Sequence, residues 1–222
     1  SVSGKNNVGG MIGYMGEIKN IILSIPNYTN YGSVTGTGGY VGGFVGYVKH
    51  NINITIVVLD GHVYGTKSGM GSGGIGGFVG FADDNQIMNM TILNCTNEGN
   101  ISGNGGCEGG FIGYIGYSKN TVLAISNCTS DGEISGNGGN VGGFIGSIDV
   151  GSNIDVSISE CTHNGNVNGT GDSVGGLIGF MGYKGTGVSS IINMKIALPN
   201  CMNNGSVSGK NNVGGMIGYM GE

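Results

Sequence analysis

The chain has 222 residues, of which 52 are Gly and only 9% are charged; it holds no Arg and no Trp and carries a formal net charge of −5. Without arginine it lacks the side chain best suited to bidentate phosphate and guanine recognition, which argues against a nucleic-acid partner. No apolar run reaches eighteen residues and no signal peptide is visible, so no membrane insertion is expected in this segment.

Along the chain, a marker of the form Val-Gly-Gly-apolar-apolar-Gly recurs at residues 8–13, 41–46, 75–80, 108–113, 141–146, 174–179 and 213–218, with Ile75 and Glu108 replacing the first Val. The spacings are 33, 34, 33, 33, 33 and 39 residues. Ser1 to Glu17 also recur letter for letter as Ser206 to Glu222, an offset of 205 residues. Six units therefore make one super-repeat, and residues 1–222 read as a single solenoid segment of a longer periodic array. Periods of this length point to solenoids, propellers or arrays.

Between markers the elements repeat. Ile21, Leu23 and Ile25 alternate with polar positions, as do Ile52, Ile54 and Ile56; Met88, Met90 and Ile92; Leu123 and Ile125; Ile154, Val156 and Ile158; and Met194, Ile196 and Leu198. Period-two alternation predicts a half-buried strand. A Gly flanked by Asn or Asp follows, with the composition of a turn. Two residues beyond it a β-branched column is expected at Val34, Val63, Ile101, Ile134, Val167 and Val207.

Each unit should thus hold three short extended segments with Gly/Asn corners, stacking ~4.8 Å above the last. The expected fold is all-β: a parallel β-helix, or β-solenoid, of about six coils of 33–39 residues. A propeller blade of four strands needs about 40 residues or more, longer than most of these units.

Cys95, Cys128, Cys161 and Cys201 share one column, which Tyr28 and Val57 are expected to fill in the other units. The column reads either as a disulfide or metal ladder or as a buried apolar stack, and counting parity from Ile125 demands a corner before Cys128. Cys107 has no counterpart in other units.

Eight Asn-x-Ser/Thr sequons occur, at Asn27, Asn53, Asn89, Asn94, Asn100, Asn127, Asn168 and Asn204. They are candidate N-glycosylation sites if the chain enters a eukaryotic secretory pathway. Parity places Asn53 and Asn89 on the solvent face, whereas Asn94 and Asn127 are expected either as glycan sites or as an inward ladder. An aromatic column at Tyr14, Tyr47, Phe81, Tyr114, Phe180 and Tyr219, broken by Ser147, reads as a groove-filling stack or a contact stripe.

Catalytic chemistry has no visible seat. Asp83-Asp84 is the only adjacent acidic pair, and the other carboxylates scatter through columns of Ser, Asn or Gly. His50, His62 and His163 fall in different columns, so no metal site is expected, nor any cofactor; the Gly-x-Gly patterns recur in every unit, unlike a binding fingerprint.

The run Cys-Thr-Asn-x-Gly-x-Ile/Val-Ser-Gly-x-x-x-Val-Gly-Gly-Phe-Ile-Gly resembles the GLUG-type repeats of secreted and surface-attached proteins. The resemblance spans all six units and implies a cell-surface or extracellular location and a repetitive stalk or adhesive region, with no reaction. The sequence-level expectation is a structural protein rather than an enzyme: a segment of an extracellular filament, fibril or stalk. Its partners are copies of itself joined end to end, with N-linked glycans on its outer faces. A cell-surface adhesin or carbohydrate-binding repeat is the alternative.

Overall fold

The computed structural model describes residues 1–71, 73–104, 106–149, 151–182 and 192–221. Every strand pairing in it is parallel, and the strands form five sheets of six or seven strands each. Registers step by one sequence unit per rung, for example Val8 to Val41 to Ile75 to Glu108, and the described residues include no helix. The fold is a parallel β-solenoid in which the first and last long strands lie five turns apart.

A rung has five strands rather than the three expected from sequence. In one central rung these are a long strand Gln86–Leu93, a short strand Thr96–Asn97, a third strand Ile101–Gly103, a fourth Cys107–Gly109 and a fifth Ile112–Gly116. The additional two are Thr96–Asn97 and Cys107–Gly109, too short to display a period; the equally short Ile101–Gly103 is expected only from its recurrent Ile/Val-Ser-Gly letters.

Corners are made by left-handed residues, mostly Asn. Asn27, Asp60, Asn94, Asn127, Glu160 and Asn200 end the long strands with φ between 50 and 56°. Each reverses the inside–outside parity, which is why Cys95, Cys128 and Cys161 are buried although simple alternation turns them outward. Asn tolerates this conformation because its short amide can bond locally. A second left-handed column, inside the long strand, holds Asn20, Asn53, Ile87, Asn120, Asn153 and Asn193. Amides bond between rungs here: Asn53 Nδ2 donates to Asn20 Oδ1 at 2.9 Å, and Asn153 Nδ2 to Asn120 Oδ1 at 2.9 Å. Ile87, with φ 58° and half-exposed, interrupts both the ladder and the conformational preference. Replacing Ile87 with Asn should raise stability by about 1–2 kcal/mol in equilibrium denaturation, because a β-branched residue carries that penalty in the left-handed region.

The interior has a waist. Val41 belongs to a small apolar cluster with Val34, Ile75 and Ile101, whereas Phe44 belongs to a larger one with the long-strand Ile, Val and Met residues. Gly42 and Gly43 lie between them on one wall; Thr96 and Asn97 lie between Cys95 and Ile101 on the other. Here backbone meets side chain without space for a Cβ. A methyl on Gly110 would sit 2.0 Å from the Gly143 carbonyl oxygen and 2.3 Å from Ser130 Oγ, whereas one on Gly39 meets nothing within 4 Å. Gly110→Ala is therefore expected to lose about 4 kcal/mol or more and Gly39→Ala to stay within about 0.5 kcal/mol, read by thermal unfolding of the two variants.

Two column assignments change. Register pairs Val34 with Lys67 and Lys67 with Ile101, so Lys67, not Val63, occupies the β-branched column. Val63 pairs with Asn30 and Asn97 in the short-strand sheet. Likewise Gly61, not Val57, stands in the cysteine column: Gly61 N–H donates to Cys95 Sγ at 3.3 Å, and Val57 pairs with Thr91 on the outer face. The turn glycine of this unit is Gly65, which lies against Gly99, rather than Gly61, so both columns sit four residues further along.

Candidate functional site

The features with functional potential are the two end rungs, the polar columns inside the waist, the cysteine row and the outer Asn and aromatic ladders. One sequence occupies both ends. Val8 and Met15 are each 5% exposed, covered by the rung containing Val41 and Val48. Their sequence twins Val213 and Met220, stacked on Val174 and Met181, are 46% and 67% exposed. The edge that residues 1–17 hide is the edge that residues 206–221 leave bare. Beside that bare edge, Met181, Met194, Ile196, Leu198, Ile217 and Met220 line a cavity of about 580 Å³. At the opposite end Val2, Met11, Tyr14 and Ile22 are exposed, although Met11 continues the column whose inner members Phe44, Phe78 and Phe111 are fully buried.

The short-strand column places Asn30, Val63, Asn97, Ser130, His163 and Asn203 against the second glycine of each Gly-Gly pair. Asn97 and Asn203 donate to the carbonyls of Gly99 and Gly205. The buried oxygens Asn97 Oδ1 and Ser130 Oγ and both ring nitrogens of His163 lack a partner in hydrogen-bond geometry. Burial pushes the His163 imidazole down to about 4, with the Ser130 backbone offsetting part of that shift, so the ring is neutral at physiological pH. Lys67 lies fully buried beside this seam with its ammonium nitrogen against the Gly65 carbonyl, and burial lowers it to about 7. Glu108 is equally buried in the Val column, with neither carboxyl oxygen bonded, and burial raises it to about 8.

An inward amide ladder does exist, but at the corner before the long strand. Asn51 Nδ2 donates to Met15 O at 3.1 Å and to Asn85 Oδ1 at 3.0 Å; Asn51 Oδ1 accepts from Ile18 N–H, and Asn85 N–H donates to Ser118 Oγ. Both Asn residues are fully buried. Their recurrence after His50 and Asp84, both left-handed, was the available signal. Of the two alternatives for Asn94 and Asn127, the inward ladder does not form: both are exposed, with Asn127 Nδ2 donating to Asn94 Oδ1 and Asn94 Nδ2 to Asp60 Oδ1. The left-handed corner turns these amides outward.

Among the other sequons, Asn27, Asn53, Asn100 and Asn204 are exposed, and Asn89 and Asn168 half-buried. Asn89 faces outward between Thr55 and Val122, while Asn168 Nδ2 donates to Glu133 Oε1 at 2.8 Å. The aromatic column runs along the fifth strands: Tyr47 meets Phe81 edge-on at 5.5 Å, Phe81 stacks on Tyr114 at 4.2 Å and Phe180 on Tyr219 at 5.1 Å, with Tyr40 wedged against Tyr47 and Phe81. Where Ser147 breaks it, Asn140 fills the space, donating to Ser147 Oγ and contacting Cys107 Sγ at 3.9 Å. That places Cys107 in a column with Gly74, Asn140 and Ser173. Asp84 pairs with His50 at 2.8 Å on an exposed corner.

Taken together, the architecture defines the class: a parallel β-solenoid with coils of about 33 residues, built from stacked Gly, Asn, Cys and Phe columns. Compared with known proteins, the chain matches no family model, no curated sequence and no solved structure.

Proposed function

We propose that this chain is a structural repeat segment of an extracellular filament, fibril or stalk, extended end to end by β-solenoid stacking. The supporting observation is the pair of identical seventeen-residue sequences, one covered on the edge where the other is bare. A rung of that sequence accepts a 167–182-type rung on one side and a 34–49-type rung on the other. Continuing the array needs no new contact: the next rung satisfies the unpaired strand edge and buries Val213 and Met220. Repeat arrays gain stability from such nearest-neighbour interfaces. The resemblance to GLUG-type repeats supports a surface location, and glycans on exposed sequons would keep the flanks wet.

Chains carrying one, two and three 205-residue periods provide the test. Electron microscopy should show unbranched rods lengthening by about 29 Å per period, six rungs at the β-strand spacing. Compact particles, or lengths independent of period number, would refute it. Intact mass before and after glycosidase treatment of secreted material reads sequon occupancy.

A second reading, a carbohydrate-binding adhesin repeat, has one feature in its favour. Thr35, Ser68, Ser102 and Ser135 line up along an axial groove of about 220 Å³ floored by Gly36, Gly69 and Gly103. Saturable polysaccharide binding lost in Ser68→Val and Ser102→Val variants would favour it over a purely mechanical role.

A further inference from the structure

The cysteine row is not used by the stacking just described. Thr96 pairs with Thr129, Thr129 with Thr162 and Thr162 with Met202, and each follows a cysteine, so Cys95, Cys128, Cys161 and Cys201 stand over one another on consecutive rungs. Neighbouring parallel strands hold such residues ~4.8 Å apart, inside the ~4.4–6.8 Å Cα range that a disulfide spans, so that only a small local shift is needed to bring the Cβ atoms within its ~3.5–4.5 Å range. Cys95, Cys128 and Cys161 are at most 2% exposed, and Cys201, nearest the bare edge, is half-buried. The thiols are free in the structure, and each sulfur leans along the column: Cys128 Sγ accepts the Cys95 N–H at 3.3 Å, as Cys95 Sγ accepts that of Gly61.

We propose that this row is an oxidative modification site whose thiols pair two by two, Cys95 with Cys128 and Cys161 with Cys201, stapling successive rungs. This pairing is the only rung-to-rung scheme that consumes all four. A central Cys128–Cys161 bridge would strand Cys95 beside Gly61 and leave Cys201 without a neighbouring thiol. Cys107 lies in a different column, beside Asn140, and takes no part.

The reaction is thiol–disulfide exchange with a small-molecule disulfide such as oxidised glutathione. One cysteine thiolate attacks that disulfide, forms a mixed disulfide and expels one glutathione thiolate. The neighbouring cysteine thiolate then attacks the protein sulfur and expels the second glutathione. One S–S bond is broken and one formed, two protein thiols are oxidised, the disulfide is reduced to two glutathiones, and the two protons from the protein pass to them. Because three of the sulfurs are sealed in the folded column, bridging belongs to the period when rungs are docking.

The test is refolding of the unsubstituted, unglycosylated chain in a glutathione redox buffer, followed by intact mass and peptide mapping without reductant. The expected mass is about 4 Da below that of the reduced chain, about 2 Da per bridge, with linked peptides containing Cys95–Cys128 and Cys161–Cys201. A Cys95→Ala variant should lose about 2 Da only, retaining the Cys161–Cys201 link. Five alkylatable thiols after refolding and denaturation, a single bridge in the unsubstituted chain, a Cys128–Cys161 link, a persistent glutathione adduct or any link to Cys107 would each overturn the proposal. Mapping the unsubstituted chain keeps the outcome independent of whether the variant folds.

Discussion

Lys67→Ile should raise stability by on the order of 5 kcal/mol at neutral pH, the value of a shift from 10.5 to about 7. Lys67 is fully buried between Val34 and Ile101, so isoleucine restores the residue type of its column. Its ammonium donates to the Gly65 carbonyl, and burial is the cause of the lowered value. The sign follows from proton binding. Between the folded value near 7 and the unfolded value of 10.5 the folded chain holds fewer protons than the unfolded one. Its stability therefore falls as pH drops through that window. The advantage of the variant is full below about pH 7 and fades towards pH 10.5. Thermal unfolding across that range should show the midpoint of Lys67→Ile exceeding the parent's by roughly 10 °C or more at pH 7. An equal gain at pH 7 and pH 10.5 would contradict an electrostatic origin.

Glu108→Val should behave as the mirror image. Glu108 replaces Val in the column of Val41, Ile75 and Val141, and neither carboxyl oxygen finds a partner. Burial raises it from 4.5 to about 8. The folded chain here holds more protons than the unfolded one between pH 4.5 and 8, so the parent loses stability as pH rises through that window. The gain from Glu108→Val should be small at pH 4.5 and reach on the order of 5 kcal/mol above pH 8. Chemical denaturation at pH 4.5, 6.5 and 8.5 gives the comparison. The double variant should be more stable than either single one at pH 7, where both buried groups are destabilising.

Both residues show where sequence patterning stops. The Val-Gly-Gly marker, the alternating long strands and the 205-residue recurrence already implied a parallel stack, because each is a statement about period, and period survives translation into structure. The cysteine column was legible for the same reason, and so was the need for a corner before it. The Lys67 assignment was not. Its unit carries one extra residue before the marker, and an apolar rule prefers Val63 over Lys at an interior position, so only hydrogen-bond register could decide. Glu108 was visible in its column, but a column letter does not report whether any donor reaches the carboxylate.

The inward Asn51–Asn85 ladder and the outward turn of Asn94 and Asn127 have a related cause. Side-chain direction at a corner depends on one backbone angle, and the left-handed value at Asp84 or Asn94 reverses what alternation implies. Period, composition and recurrence fixed the stacking, the coil length and the shared columns, since those follow from repeated local chemistry. The tertiary structure alone decided which polar side chains lie inside and which seventeen-residue copy shows its edge, since those depend on what the neighbouring rung covers.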